Sequence, residues 1–226
     1  MGLWDLYGNK IKTPDYKVSF SLFNSFAVIG DSFAATMANS NVSWPLIIEK
    51  MSGVKSYNFS YGGLSTKTWL TNATYGLAKM LDSPPAELYI IALGINDAWQ
   101  SITVGSTSDI DSDSTDSFYS YYGRIIRAIK SHAPNALIML ATPARFGSTY
   151  DSYSTAVINI GQHYDIPVFD LSKDKFFKSE LFSEYQISDH PMAVARSAMA
   201  EEYMWLVEQE LENNIADYLE YRGQVN

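Results

Sequence analysis

The chain of 226 residues is long enough for one large domain or two small ones, and 46% hydrophobic with 18% charged residues is the balance of a globular protein. Its 16 basic and 25 acidic residues give a net charge of −9, which argues against nucleic acid or an anionic membrane as a partner. The sequence has no cysteine, which excludes disulfides, thiolate metal ligands and a cysteine nucleophile.

Five short apolar segments predict buried β-strands. The third and fourth are apolar on both faces, which is typical of a parallel sheet that is covered by helices. The predicted strands are residues 26–30, 56–60, 88–94, 136–142 and 167–171.

Helical patterns alternate with these strands. Apolar residues at helical spacing predict helices in residues 44–51, 118–129, 153–164 and 192–206. Such alternation predicts the α/β class, as a three-layer α/β/α sandwich with about five parallel strands. We expect residues 1–24 to form an N-terminal arm or edge segment and residues 25–226 to form a single domain.

Residues able to support catalysis follow three predicted strands and precede the last helix. Ser32 follows the first strand, Gly63 the second and Asn96 the third, while His190 stands just before a predicted helix start at Pro191. Because parallel α/β sheets place their sites at the carboxyl ends of strands, we expect these residues to meet at one edge.

These four segments resemble the sequence blocks of the SGNH hydrolases, also called the GDSL esterase/lipase family. The matching residues are Gly30-Asp31-Ser32, Gly63, Gly94-x-Asn96-Asp97 and His190-Pro191. The resemblance implies a flavodoxin-like fold with Ser32 as nucleophile and His190 as its base. It also implies that the N–H groups of Ser32 and Gly63 and the amide of Asn96 form an oxyanion hole, with Asp31 and Asp97 in local turn hydrogen bonds.

The sequence departs from the family pattern at the residue that orients the histidine. The family places an Asp three residues before the His, where this chain has Ile187. Asp189 is the carboxylate assigned to the triad here, although its adjacency to His190 requires an awkward turn. A backbone carbonyl that would leave a Ser–His dyad is the open alternative.

The resemblance implies a serine esterase that needs no cofactor. The acidic charge, the aromatic residues and the lack of a long apolar lid favour removal of a small acyl group, above all acetyl, from a carbohydrate. Trp69 and Trp99, each shortly after a site segment, are candidate platforms for a sugar ring. A lysophospholipase or thioesterase of the same family and a glycan-binding module without catalysis are the alternatives.

The expected partner is therefore a small-molecule or polysaccharide ester, and the oligomeric state is open. The chain also resembles SGNH modules of phage tail proteins and gut bacteria, which implies trimming of surface polysaccharides. The first residues lack a signal-peptide pattern, and no apolar run approaches the ~18 residues of a membrane span. Localisation stays open, with an extracellular or virion-associated place in a longer protein as one option.

One acidic segment imitates the start of a calcium-binding loop. Asp109, Asp111 and Asp113 have the spacing of the first ligands, but Ser114 replaces the required glycine and Ser120 the closing glutamate. The sequence therefore predicts a solvated loop and no metal site.

Overall fold

A five-stranded parallel sheet lies at the centre of the protein, of which the computed structural model describes residues 19–36, 42–214 and 218. The strand order is β2-β1-β3-β4-β5, and every neighbouring pair is parallel. The five strands are β1 (Ser25–Gly30), β2 (Lys55–Asn58), β3 (Leu88–Ala92), β4 (Leu137–Ala141) and β5 (Val168–Phe169). The predicted α/β fold with five parallel strands is confirmed.

Helices cover both faces of this sheet. In the described part of the chain, the four predicted helices are present, the third beginning five residues earlier than its apolar pattern, and four shorter helices accompany them. The eight are α1 (Trp44–Ser52), α2 (Thr66–Thr71), α3 (Leu77–Leu81), α4 (Ile95–Trp99), α5 (Phe118–His132), α6 (Ser148–Tyr164), α7 (Glu180–Glu184) and α8 (Ala193–Asn213).

The alternation of side chains along the strands divides the core in two. Val28 and Ile90 belong to the cluster that α1 and α8 cover, whereas Ile29 and Ile91 belong to the cluster under α5 and α6. Successive residues of a strand point to opposite faces, so a strand apolar at every position must be covered on both sides. This explains why the third and fourth segments lack polar alternation.

Local signals fix the ends of α1. The Ser43 side chain accepts a hydrogen bond from the Leu46 N–H, and Pro45 occupies the first turn, where its missing N–H costs nothing. Gly53 ends the helix in the left-handed conformation at φ 77°, which glycine adopts without strain.

The segments around the sheet are described in part. Residues 1–18 of the predicted N-terminal arm lie outside the described residues, and Phe20–Leu22 forms a short 3₁₀ turn whose Phe20 packs edge-on against Phe26 of β1. Within the described ranges, no helix combines the length and the apolarity needed to cross a bilayer.

The strand order brings the candidate residues together. β1 lies between β2 and β3, so the chain moves to one side of β1 and then to the other. Ligand sites of open α/β sheets lie at the carboxyl ends of strands around such a reversal. The loops after β1, β2, β3 and β4 meet at this edge.

Candidate active site

Ser32 lies in a tight turn directly after β1. The Asp31 carboxylate accepts a hydrogen bond from the Phe33 N–H at 2.9 Å, and the Asp31 carbonyl accepts from Ala34 and Ala35 at 3.1 and 2.9 Å. The predicted local role of Asp31 is thus present. Ser32 is only 5% exposed, so its hydroxyl is held in a largely dry environment.

The Ser32 hydroxyl meets the His190 ring across 158 residues of chain. Its Oγ lies 2.9 Å from His190 Nε2, while His190 Nδ1 lies 2.7 Å from the backbone carbonyl of Ser188. A carbonyl can only accept, so Nδ1 carries the proton and Nε2 presents its lone pair to the serine hydroxyl. This is the tautomer that a base for Ser32 requires.

His190 stands on a hairpin rather than at a helix start. The strands β6 (Gln186–Ile187) and β7 (His190–Pro191) pair antiparallel, and α8 begins only at Ala193, which corrects the predicted helix start at Pro191. The two turn residues, Ser188 and Asp189, have φ of 48° and 61°. Two consecutive positive φ values give the twist of a tight hairpin, at a strain of roughly 1–2 kcal/mol for each non-glycine residue.

The predicted contact between Asp189 and the histidine ring is replaced by the Ser188 carbonyl. The Asp189 side chain is 76% exposed, and its Oδ2 lies 3.8 Å from Nη1 of Arg145, whose Nη2 also donates to the Asp189 carbonyl. A carboxylate this exposed and turned towards a guanidinium does not hold Nδ1. The dyad alternative fits the geometry.

The loops after β2 and β3 line the same cavity as Ser32 and are joined to each other by two side-chain amides. Gly63 adopts φ 79°, a conformation that strains side chains with a Cβ, although a Cβ there would meet nothing within 4 Å. The Asn96 amide donates to the Leu64 carbonyl at 3.2 Å, and the Gln100 amide donates to the Gly63 carbonyl at 3.0 Å. Both amides tie the glycine loop to α4.

Asp97 of α4 is also bonded to the segment after β2, through Thr66. Its carboxylate accepts from the Thr66 N–H at 3.0 Å and from the Thr66 hydroxyl at 2.5 Å, and it is fully buried. These bonds span 31 residues, so the predicted local role of Asp97 is wrong. Burial raises its pKa to about 6, against the opposing effect of the Thr66 hydrogen bonds.

A cavity of about 270 Å³ opens between these loops. The residues that line it include Arg145, which has a permanent positive charge, and Trp99, whose large aromatic ring is exposed. The lining residues are Ser32, Phe33, Gly62, Gly63, Ile95, Asn96, Trp99, Arg145 and His190. The structure therefore brings Ser32, Gly63, Asn96 and His190 to one space, as the sequence predicts.

The two tryptophans predicted as platforms for a sugar ring differ in exposure. Trp99 is 68% exposed at the cavity, and its indole N–H donates to the Tyr150 hydroxyl at 3.1 Å. Trp69 is fully buried, and its N–H donates to the Phe59 carbonyl at 3.0 Å. The prediction is wrong for Trp69, because the indole packs in the core under α5.

The carboxylates of the acidic segment, residues 109–113, pair with other groups of the protein. Asp111 meets His163 at 2.9 Å, Asp113 meets Arg127 at 2.7 Å, and Asp109 accepts from the Ser106 N–H at 3.0 Å. Asp111 also lies 3.6 Å from the Arg127 guanidinium, so Asp111 and Asp113 share one cation of the protein.

We expect Asp31 to make the stability of the protein depend on pH. Burial raises the pKa of Asp31 to about 7, although the Phe33 N–H opposes this, and its Oδ2 is buried without a partner among the described residues. Between about pH 4 and pH 7 the native carboxyl keeps a proton that the unfolded one has lost, so the free energy of unfolding falls as pH rises.

We expect Asp31→Asn to remove most of this decline, because the amide keeps the acceptor at Oδ1 and never ionises. Urea unfolding should show similar stability at pH 4 and an advantage for the variant of roughly 2–4 kcal/mol at pH 8, since one pKa unit is worth about 1.4 kcal/mol. Asp97 acts in the same direction and should leave a residual decline. Parallel curves for the two proteins would contradict the assignment.

The sequence matches the GDSL-like Lipase/Acylhydrolase family over residues 28–194. No curated protein sequence matches the chain. Among solved structures, the protein is similar to a possible lipase from Chitinophaga pinensis at 19% identity and a TM-score of 0.65, covering 82% of this chain and 98% of that one.

Two further structures share the fold at similar identity. A lipase/acylhydrolase from Enterococcus faecalis is 17% identical with a TM-score of 0.60, covering 84% of this chain and 96% of that chain. An acetyl xylan esterase, AlAXEase, is 17% identical with a TM-score of 0.57, covering 81% and 98%. None of these three is named as a phage protein, so the resemblance to phage tail modules stays a prediction.

Because the family match covers most of the chain, the protein belongs to the GDSL-like lipase/acylhydrolase family and is a serine hydrolase that acts on esters.

Proposed function

We propose that Ser32 is the nucleophile and His190 the general base of an esterase that removes small acyl groups, acetyl above all, from carbohydrates. The observation that carries the proposal is the 2.9 Å contact between Ser32 Oγ and His190 Nε2, with Nδ1 fixed on the Ser188 carbonyl. Such a contact supports a nucleophile and a base whose orienting group is a backbone carbonyl.

The reaction then proceeds by double displacement. Ser32 Oγ attacks the ester carbonyl while its proton passes to His190 Nε2, and the carbonyl oxygen becomes an oxyanion. The N–H groups of Ser32 and Gly63 and the Asn96 amide stabilise that charge. The C–O bond breaks as His190 returns the proton to the departing alcohol, and a water molecule, deprotonated by His190, releases the acid and restores the Ser32 hydroxyl.

The exposed ring of Trp99 favours a carbohydrate as the alcohol part of the ester. A flat, exposed indole that is held by Tyr150 provides an amphipathic surface for the apolar face of a sugar ring. The fold similarity to an acetyl xylan esterase is compatible with this, although that substrate belongs to the other protein.

A second substrate class, esters of longer acyl chains, is favoured by apolar residues beside His190. Ile187 is the register partner of His190, so the two side chains share one face of the hairpin, and Ile187 is 51% exposed. Leu181 in α7 and Val194 in α8, which precede and follow the hairpin along the chain, are also more than half exposed. An acyl chain that leaves the cavity along these residues would be bound by them.

Chain-length preference separates the two classes. We expect kcat/KM for p-nitrophenyl acetate to exceed that for p-nitrophenyl octanoate, and acetylated xylan-type oligosaccharides to be deacetylated. A clear preference for octanoate would support the second class and contradict the acetyl assignment.

Trp99→Ala tests the sugar platform. Loss of a stacking surface worth about 1 kcal/mol should lower kcat/KM for an acetylated sugar, relative to p-nitrophenyl acetate, by about fivefold. Trp205→Ala is the matched control, because this tryptophan is 48% exposed on α8 and does not line the cavity. Equal ratios in wild type and Trp99→Ala would exclude Trp99 from sugar binding.

A further inference from the structure

Arg196 is a charged residue on the buried face of α8. Its neighbours Ala195, Met199 and Ala200 belong to the hydrophobic core, and Arg196 itself has no exposed surface. A buried cation is costly unless its donors are satisfied, so the partners of this guanidinium explain its presence.

All three nitrogen atoms of the Arg196 guanidinium donate to backbone carbonyls. Nε donates to the Pro191 carbonyl at 3.0 Å, immediately after His190. Nη2 donates to the carbonyl of Ser32 at 3.0 Å, and Nη1 to that of Ala35 at 2.5 Å. One rigid planar group therefore holds the turn of the nucleophile and the strand of the base at a fixed separation.

Such a brace matters because no carboxylate among the described residues orients the His190 ring. Its Nδ1 depends on the Ser188 carbonyl, which belongs to a strained two-residue turn. Any shift of that hairpin relative to Ser32 would move Nε2 away from the hydroxyl. The second arginine at the site, Arg145, contacts the hairpin at Asp189 and lies over the Phe33 ring at 5.4 Å from its centroid, but among the described residues it donates no hydrogen bond to the Ser32 turn.

We propose that Arg196 is a positioning residue that sets the Ser32–His190 geometry by binding the backbone carbonyls of both segments. The inference rests on the proposed function, since it assumes that Ser32 and His190 react together. It gives the buried guanidinium a role in turnover beyond its contribution to folding.

Two substitutions separate positioning from folding. Arg196→Met removes every donor, whereas Arg196→Lys keeps the charge but cannot span three carbonyls with one ammonium group. Arg127 provides the matched control, because it donates to the carbonyls of Ile110 and Ser112 away from the cavity. Arg127→Met and Arg127→Lys should lower stability and leave kcat per folded molecule unchanged.

For Arg196→Met, we expect kcat per folded molecule to fall by about 10- to 100-fold with little change in KM, the loss that misplacing a reacting group by about 1 Å can cause. Inactivation by a fluorophosphonate should slow by the same factor, and Arg196→Lys should lie between. If Arg196→Met does not fold, the lysine variant alone decides. A folded lysine variant with the wild-type kcat and inactivation rate would overturn the proposal.

A spectroscopic measurement makes the test independent of activity. The chain has three histidines, so the ring nitrogens of His190 can be assigned by NMR of ¹⁵N-histidine-labelled protein. The wild type should hold His190 as the Nδ1–H tautomer, and Arg196→Lys should shift the ring towards a mixture. An unchanged tautomer together with an unchanged inactivation rate would overturn the positioning role. Failure of a fluorophosphonate to label wild-type Ser32 would instead refute the proposed function.

Discussion

Replacing Ser32 with alanine is expected to lower kcat for p-nitrophenyl acetate by about 10⁴- to 10⁶-fold, because the acyl-enzyme can no longer form. His190→Gln should cause a loss of similar size, since the glutamine amide cannot take and return the proton. Residues that act as one unit are not additive, so the double variant should be hardly slower than either single variant.

Matched substitutions outside the cavity control for general effects. Ser120 is also buried, but its hydroxyl donates to the Ser112 carbonyl, and His163 pairs with Asp111 on the surface. Ser120→Ala and His163→Gln should keep the wild-type kcat. A fluorophosphonate should modify the wild-type protein at Ser32 and leave Ser32→Ala unlabelled.

Two outcomes would contradict the dyad. If Ser32→Ala hydrolyses the ester as fast as the wild type, Ser32 is not the nucleophile, and slow, equal rates in both proteins would favour the glycan-binding alternative. A His190→Gln variant that keeps the wild-type kcat would exclude His190 as a base, because a glutamine amide cannot accept the serine proton.

The parallel sheet is predictable from the sequence because its strands are buried on both faces. Runs such as residues 88–92 have no polar position, and only a covered parallel strand tolerates that pattern. The ends of the strands are harder to predict, because apolar residues continue along the chain past the last residue that pairs with the neighbouring strand. Residues 93 and 94, for example, were expected in β3 but lie in the following loop.

The histidine hairpin is not predictable by the same reasoning. Strands β6 and β7 have two residues each, too few for any periodicity, and Ser188-Asp189 lacks the glycine that usually marks a tight hairpin turn. The Ser188 carbonyl is a backbone group, so no residue type announces that it orients His190.

Two arginines were missed although a signal existed for each. Arg145 follows β4 at the carboxyl edge of the sheet, where the same rule that selected Ser32 and Asn96 applies. Arg196 interrupts the apolar face of α8, and a charge on a core face indicates a specific buried partner. Trp69 is the opposite case, a residue that was predicted at the site but lies in the core. Proximity in sequence to a site segment does not place a side chain on the side of that segment that faces the cavity.

Asn96→Ala is expected to lower kcat by about 10²- to 10³-fold, the usual loss when one donor of an oxyanion hole is removed. KM should change little, because the full negative charge on the substrate oxygen exists only near the transition state. Asn96→Asp should be at least as slow, since a carboxylate at this place repels the oxyanion.

The contact between Asn96 and Leu64 raises the competing explanation that Asn96 only braces the glycine loop. Asn159→Ala is the matched control, because the Asn159 amide donates to the Tyr119 hydroxyl at 2.7 Å outside the cavity. Binding of a boronate that forms a tetrahedral adduct with Ser32 distinguishes the two roles. An oxyanion donor requires that adduct affinity and kcat fall together in Asn96→Ala, whereas a brace would lower thermal stability and leave kcat per folded molecule near that of the wild type.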